Sequence, residues 1–238
     1  MTLPMTVLLP GLDGTGALFA PFIAVAPSGC RLQPLKLPDT RGLSYSDLAD
    51  WVHANLPEGR VVLLAESFSG PLAVLVAARC ARVVGVVLST TFLEPPLSGV
   101  LSIVAKSLPG LAWKRPPPEL LLRAFLTGGD SALASAVRQA MRRVSGDVVA
   151  ERVAAVSGVN VSDEFRGLGC PVLCLHAGRD RLVSARSIAR MRALKPDATF
   201  VQIDAPHLLL QARPQEAWAH VSAFLERFAA FPSREGNA

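Results

Sequence analysis

One serine in this sequence lies where a strand pattern changes to a helix pattern. Ser67 follows the apolar, β-rich run 60–65 and precedes the helical pattern 70–82. Ala65 and Ser69, two positions before and after it, are small, as a tight strand-to-helix turn requires if it is to expose a serine hydroxyl as a nucleophile. A purely structural serine that caps the helix is the competing interpretation. The coincidence of strand, small pair and helix favours the nucleophile.

A serine hydroxyl needs a base, and an acid to orient that base. Asp180 follows the strand pattern 172–176 and His207 follows 199–203, so both lie in loops at the carboxyl ends of predicted strands. Because such loops converge on one edge of a parallel sheet, we expect Ser67, His207 and Asp180 to form a catalytic triad. The alternatives considered are Asp163 and Asp204 for the acid and His53, His176 and His220 for the base.

A glycine-rich loop directly follows the first predicted strand. Its sequence, Pro-Gly-Leu-Asp-Gly-Thr-Gly over residues 10–16, has neither of the two glycine spacings that bind nucleotide phosphates. Beside a nucleophilic serine, such a loop suits an oxyanion hole, with the backbone amides of Leu12 and Phe68 donating to the developing alkoxide. Asp13 could either hold the shape of this loop or contact a substrate.

The elements that must position these residues alternate between strands and helices. This alternation predicts an α/β fold with a doubly wound, mostly parallel sheet. Between residues 93 and 166 the strand signal disappears, and we expect an inserted helical cap there, with Asp130 capping one helix. The α/β core would then comprise residues 1–92 and 167–238. The predicted strands are 6–9, 31–36, 60–65, 83–89, 172–176 and 199–203, and the predicted core helices are 16–25, 44–55, 70–82, 185–194 and 214–228.

Composition excludes several other classes of protein. The chain has 238 residues, of which 50% are apolar and 18% charged, as expected for a globular protein with a large core. The four cysteines lack the spacing of a metal or redox motif, and we expect them to be reduced and mostly buried. No run of like charges indicates nucleic-acid binding, and no apolar run is long enough to span a membrane. We expect a cytoplasmic protein that needs neither metal nor cofactor.

Taken together, the loop 10–16, the turn at Ser67, the cap and the order Ser67, Asp180, His207 resemble the α/β-hydrolase superfamily. In size and cap position the chain is similar to bacterial pimeloyl-acyl-carrier-protein methyl ester esterases, and its glycine-rich loop resembles that of plastid phytyl ester synthases. The resemblance implies a serine carboxylesterase that acts on an aliphatic acyl ester. An acyltransferase using the same triad and a non-catalytic ligand receptor remain alternatives.

Positive charge is concentrated in the predicted cap. Between residues 106 and 143 the basic residues outnumber the acidic ones by five, which equals the net charge of +5 of the whole chain. Arg138 and Arg142 are four residues apart, so we expect them to point outward together. They could form a docking patch for an acidic acyl carrier protein, or simply a solvated helix face. The basic residues are Lys106, Lys114, Arg115, Arg123, Arg138, Arg142 and Arg143.

Overall fold

A six-stranded parallel sheet forms the centre of the molecule. The computed structural model describes residues 3–96 and 115–229. The strand order is β2-β1-β3-β4-β5-β6, and every neighbouring pair is parallel, which confirms the predicted fold class. The strands are β1 (Met5–Leu9), β2 (Leu32–Pro34), β3 (Val61–Glu66), β4 (Val83–Ser89), β5 (Val172–Ala177) and β6 (Thr199–Ile203).

Helices cover both faces of this sheet, because its central strands are apolar on both sides. In β3, Val61, Leu63 and Ala65 face one apolar cluster while Val62 and Leu64 face the other. This continuous apolar run is typical of a buried parallel strand. The core helices are α1 (Ala20–Ala24), α2 (Tyr45–Ala54), α3 (Gly70–Ala77), α8 (Ala185–Leu194), α9 (Leu209–Ala212) and α10 (Pro214–Glu226).

Residues 93–166, the insert, connect β4 to β5. Their described part, 93–96 and 115–166, contains helices and no strand. The helices are α4 (Glu119–Leu122), α5 (Ser131–Met141), α6 (Gly146–Val156) and α7 (Ser162–Arg166), and a π-helical segment (Arg123–Thr127) continues α4.

The insert packs in two ways. Helices α4, α5 and α6 share an apolar cluster that also includes Leu208, whereas Phe165 of α7 lies in the cluster on the sheet. The carboxylate of Asp130 accepts a hydrogen bond from the Leu133 amide at 2.9 Å, which confirms the predicted N-cap. The insert therefore has its own apolar cluster, and this cluster extends to Leu208, the residue after His207.

A helix that crosses a membrane must be both long and apolar. No single helix in the described part of the chain meets that requirement. The segments Glu119–Thr127 and Ser131–Met141 meet it only as a pair, across a bend of 109°.

Candidate active site

Ser67 lies on a strained turn at the carboxyl end of β3. Its backbone has φ of +49°, a left-handed conformation that is rare for any residue other than glycine. Residues Ser67–Ser69 form a single 3-10 turn that continues directly into α3. The Thr91 hydroxyl, from the segment after β4, donates a hydrogen bond to the Ser67 carbonyl. This turn is the strand-to-helix geometry that the sequence predicts.

Gly70 makes the same turn possible, although sequence analysis did not single it out. A Cβ atom at this position would lie 2.0 Å from the Thr91 hydroxyl oxygen and 2.5 Å from its methyl carbon. The helix can therefore begin beside Thr91 only if residue 70 has no side chain. The backbone thus approaches Thr91 most closely at position 70, the third residue after Ser67. At position 69, the second residue after Ser67, the structure accommodates a serine.

The structure brings the three predicted side chains into one hydrogen-bonded chain. The Ser67 Oγ lies 2.9 Å from His207 Nε2, and His207 Nδ1 lies 2.8 Å from an oxygen of Asp180. The His207 and Asp180 side chains are 2% and 5% exposed, while Ser67 is half-buried. With the Nδ1 proton directed at Asp180, Nε2 presents its lone pair to the serine hydroxyl.

The surroundings of Asp180 keep it ionised. Burial alone would raise its pKa, but the adjacent His207 ring and the backbone amides of Val183 and Leu182 together hold the pKa below its usual range. Those two amides donate to the second carboxylate oxygen at 3.0 and 2.8 Å. The carboxylate is thus fixed on both sides and faces the imidazole with a full charge.

The glycine-rich loop 10–16 lies directly beside the nucleophile. A Cβ atom built on Gly11 would be 4.0 Å from the Ser67 Cβ, and the Ser69 hydroxyl donates to the Pro10 carbonyl. Among the described residues, neither the Leu12 amide nor the Phe68 amide donates a backbone hydrogen bond outside the regular helices and strands. Leu12 lies in the loop beside Ser67 and Phe68 directly follows Ser67, and their role as oxyanion donors stays a prediction.

Asp13 shapes this loop from within. Its carboxylate accepts hydrogen bonds from the backbone amide of Thr15, at 2.9 Å, and from the Thr15 hydroxyl. Burial raises the pKa of Asp13, and the Thr15 contacts and the nearby Arg152 charge act in the opposite direction. Of the two roles that the sequence left open for Asp13, these contacts support the structural one.

A second carboxyl group, that of Glu66, lies beneath the site. Glu66 immediately precedes Ser67 and is fully buried, and this burial raises its pKa to about 7. Its Oε2 accepts a hydrogen bond from Gln211 Nε2 at 3.2 Å, while its Oε1 has no partner within the described residues. Sequence analysis missed Glu66 because a glutamate at the end of a strand gives no sign of being enclosed.

The alternative acids and bases lie elsewhere. The Asp204 carboxylate pairs with Arg179 Nε at 2.8 Å, and Asp163 pairs with Arg166 on the exposed surface of α7. His176 is the penultimate residue of β5, and burial lowers its pKa. None of them takes part in the hydrogen-bonded chain at Ser67. The two remaining histidines, His53 and His220, are half-buried on α2 and α10.

The two arginines of the predicted docking patch differ in exposure. Arg142 is exposed on the surface after α5, whereas Arg138 is 35% exposed and its Nη1 lies 3.8 Å from a carboxylate oxygen of Glu119 on α4. Docking of a partner at these residues stays a prediction. Lys106 and Lys114 lie outside the described residues.

Two further kinds of residue bear on the chemistry of the protein, the cysteines and the potential metal ligands. All four cysteines are free; Cys80 and Cys174 are buried, and Cys30 and Cys170 are half-buried. In residues 3–96 and 115–229, no three His, Cys, Asp or Glu side chains gather as a metal ion would require. The polar groups described at this site are therefore the hydrogen-bonded side chains of Ser67, His207 and Asp180, the loop 10–16, and the pair formed by Glu66 and Gln211.

Comparison with known proteins agrees with this fold. The chain belongs to the alpha/beta hydrolase family, whose sequence model matches residues 6–221, and it is therefore a hydrolase of the α/β class. No curated protein matches the sequence.

Solved structures share the fold at low sequence identity. An enol-lactonase from Burkholderia xenovorans LB400 has a TM-score of 0.78 at 18% identity, covering 95% of this chain and 92% of the lactonase. A thermophilic esterase from Thermogutta terrifontis has a TM-score of 0.78 at 19% identity, with coverages of 95% and 90%. A bromoperoxidase from Bacillus anthracis reaches 0.80 at 16% identity, with coverages of 94% and 92%. At these identities the likeness establishes the fold alone.

Proposed function

We propose that this protein is a serine carboxylesterase that hydrolyses an aliphatic acyl ester through a covalent acyl-enzyme. The observation that carries the proposal is the chain of contacts from Ser67 Oγ through the His207 ring to Asp180, at 2.9 and 2.8 Å. Three side chains from three separate loops meet in the order that nucleophile, base and acid require. Esterase and lactonase names among the structural neighbours favour ester chemistry over other hydrolytic reactions.

Acylation begins with the attack of Ser67 Oγ on the ester carbonyl carbon, while His207 Nε2 takes the hydroxyl proton. The carbonyl oxygen becomes an oxyanion, and the amides of Leu12 and Phe68 stabilise it by hydrogen bonding. His207 then returns the proton to the leaving alkoxide oxygen as the bond between carbon and alcohol oxygen breaks. The products of this half-reaction are a free alcohol and an acyl group esterified to Ser67.

Deacylation repeats these steps with water. His207 removes a proton from a water molecule, whose oxygen attacks the acyl carbon, and the second oxyanion uses the same two amides. His207 protonates Ser67 Oγ as the acyl–serine bond breaks, which releases a carboxylic acid. Throughout the cycle Asp180 remains ionised and stabilises the imidazolium, which its lowered pKa allows.

The aliphatic character of the acyl group is proposed from the apolar residues near Ser67. Leu12 from the oxyanion loop and Leu208, next to His207, both pack with the apolar cluster of the insert. The Leu208 amide also donates to the carbonyl of Leu126, in the insert, at 3.0 Å. The acyl chain of an acyl group bonded to Ser67 Oγ would therefore lie among leucine side chains.

Delivery of the ester by an acidic carrier protein is the finer part of the proposal. It depends on Arg142, which is exposed together with Arg143 at the end of α5, and on Arg138, whose side chain is half-buried beside Glu119. The Arg142→Glu variant should lose kcat/KM, by about tenfold at low salt, on a carrier-bound acyl ester and keep it on a small free ester. Equal effects on both substrates, insensitive to salt, would contradict carrier docking.

The test of the central proposal is turnover of p-nitrophenyl esters from acetate to myristate, together with labelling by an alkyl fluorophosphonate. We expect an initial burst of p-nitrophenol, hydrolysis that is fastest for an intermediate or long acyl chain, and phosphonylation of Ser67 located by peptide mass spectrometry. A protein that gives neither turnover nor a labelled Ser67 would be a receptor on this fold. Preferential transfer to added alcohols would identify an acyltransferase.

A further inference from the structure

A buried arginine of the insert contacts the oxyanion loop. Arg152 lies on α6 and is 4% exposed, although its side chain carries a full charge. Its Nη1 donates to the Leu12 carbonyl at 3.0 Å, and its Nη2 donates to the Pro38 carbonyl at 3.0 Å. Two separate loops of the core thus bind one guanidinium from the insert.

The loop backbone lies directly against this guanidinium at Gly14. A Cβ atom on Gly14 would be 2.3 Å from Arg152 Nη1 and 2.8 Å from the guanidinium carbon. Gly14 also has φ of +69°, so both the space and the conformation require glycine. Its amide donates to the Gly11 carbonyl at 3.0 Å and its carbonyl accepts from the Leu37 amide at 2.8 Å. The loop therefore lies between the segment that follows β2, through Leu37, and Arg152.

The chemistry of this contact is specific to arginine. Burial lowers the pKa of the Arg152 guanidinium, while the charges of Asp13 and Asp39 oppose that shift. A planar guanidinium directs two donors in fixed directions and can therefore hold two carbonyl groups at a set separation, whereas an ammonium cannot. Its two hydrogen bonds within the described residues go to backbone carbonyls rather than to a carboxylate.

The Leu12 carbonyl that Arg152 holds belongs to the same residue as a proposed oxyanion donor. The Leu12 carbonyl lies in the peptide plane that follows Leu12, and the hydrogen bond from Arg152 fixes that plane. The Leu12 N–H lies in the preceding plane together with the Gly11 carbonyl, which accepts a hydrogen bond from the Gly14 amide at 3.0 Å. Because Arg152 also packs against Gly14, it restrains the peptide planes on both sides of Leu12, and hence the direction in which the Leu12 N–H points. The Leu12 side chain packs in the apolar cluster of the insert as well. The insert therefore holds Leu12 by both its backbone and its side chain, while the amide is left for the substrate.

We propose that Arg152 is a positioning residue, which holds the Leu12 amide in the direction that stabilises the oxyanion. This inference rests on the proposed ester hydrolysis at Ser67 and extends it. It assigns to the insert a part in transition-state stabilisation, in addition to any part in enclosing the acyl group. Since a misplacement of about 1 Å can cost up to about 100-fold in rate, the effect on turnover should be large.

Arg152 could instead act only by attaching the insert to the core, and the neighbouring Glu151 separates the two possibilities. Glu151 accepts hydrogen bonds from Arg41 Nε at 3.0 Å and from the Gly42 amide at 2.6 Å. These contacts attach the same helix α6 to the core without involving the oxyanion loop. Glu151→Ala is therefore a matched control for the attachment of the insert.

The experiment compares Arg152→Met, Arg152→Lys and Glu151→Ala with the wild-type protein. The measurements are kcat and KM on p-nitrophenyl acetate, the melting temperature, and the inhibition constant of an alkyl trifluoromethyl ketone. Such a ketone adds to Ser67 Oγ and becomes an anionic hemiketal, so its affinity reports oxyanion stabilisation directly. Labelling of wild-type Ser67 by the fluorophosphonate tests the proposed hydrolysis separately.

For Arg152→Met we expect kcat to fall about 100-fold with KM changed by less than about threefold, and ketone affinity to fall in parallel with kcat. Glu151→Ala should alter both by less than about threefold. Equal losses in Arg152→Met and Glu151→Ala, or a raised KM with unchanged kcat, would overturn the proposal. If Arg152→Met does not fold, Arg152→Lys is the deciding variant. A melting temperature close to that of the wild type, together with about a tenfold loss in kcat and in ketone affinity, would support positioning. Wild-type kcat and ketone affinity would refute it.

Discussion

The turn at Ser67 and the loop 10–16 meet at the same edge of the sheet, but different parts of the chain hold them. In residues 3–96 and 115–229, the hydrogen bonds to the carbonyls of the Ser67 turn come from the core: the Thr91 hydroxyl donates to the Ser67 carbonyl, and the Tyr45 hydroxyl donates to the Phe68 carbonyl at 3.1 Å. The loop is held by the core on one side, through Ser69 and Pro10, and by Arg152 of the insert on the other.

This difference separates two tasks of the site. A nucleophile must be held in a strained backbone, and the densely packed sheet and its helices supply that support. The proposed oxyanion donor, the Leu12 amide, must point at the oxyanion, and we infer that Arg152 of the insert takes part in directing it. Changes within the insert can therefore alter turnover while leaving the strained serine unchanged.

The largest effect is expected at the nucleophile itself. Ser67→Ala should lower kcat by about a millionfold, because neither acylation nor deacylation can proceed without the serine oxygen. The melting temperature should stay within a few degrees of the wild type, since the core residues that support the turn are unchanged. Ester turnover and fluorophosphonate labelling measure the first effect, and calorimetry the second. Substantial remaining activity would mean that the nucleophile lies elsewhere.

Asp180→Asn should reduce kcat by up to about four orders of magnitude, because an amide facing Nδ1 favours the tautomer whose Nε2 carries a proton toward Ser67. Asp204→Asn, which alters an exposed carboxylate paired with Arg179, is the control and should change kcat by less than about threefold. Steady-state kinetics of both variants provide the comparison. The reverse ranking would transfer the role of the acid to Asp204.

The support of the Ser67 turn can be disturbed through Gly70. Gly70→Ala should lower the free energy of unfolding by about 3 kcal/mol, because the added methyl group overlaps Thr91 in a buried region that cannot expand. Gly158→Ala serves as the control, since no atom lies within 4 Å of its added Cβ. Urea denaturation measures both variants. Equal stability of the two would show that the turn has more freedom than its contacts imply.

The smallest expected effect concerns Glu66, which lies where the two regions meet. Its pKa is raised from 4.5 to about 7 on folding, so the folded protein binds this proton more tightly than the unfolded chain does. Stability should therefore be greatest below pH 4.5 as far as this group is concerned, and should decline by up to about 3 kcal/mol as the pH rises through 7.

The Glu66→Gln variant has no titrating group at position 66 but keeps an oxygen that can accept from Gln211. As the pH rises from 4.5 to 8, the free energy of unfolding of the variant should therefore increase relative to that of the wild type. Urea denaturation at each pH isolates this difference from all other titrating groups. A difference that is independent of pH would mean that Glu66 titrates alike in the folded and unfolded chain.

Local patterns in the sequence determined much of this protein. Each strand overlaps a run that the sequence predicts. The four inner strands are buried on both faces and therefore read as short apolar runs, whereas the edge strands β2 and β6 are more exposed. The positions of Ser67, Asp180 and His207 at strand ends followed from the same runs, and parallel strands bring their carboxyl ends to one edge. That the three side chains share hydrogen bonds, and that Asp204 pairs with Arg179 instead, was decided only by the folded chain.

Other features depended on contacts between residues far apart in the chain. Arg152 and Leu12 are 140 positions apart, so no local pattern distinguishes Arg152 from the exposed arginines of the insert. The same holds for the overlap that forces glycine at Gly70, for the enclosure of Glu66, and for the ion pair between Arg138 and Glu119 of α4. Sequence patterns record which residues a strand or helix turns inward. Which distant residue fills the space opposite them is set by how the elements pack, and the tertiary structure alone decides it.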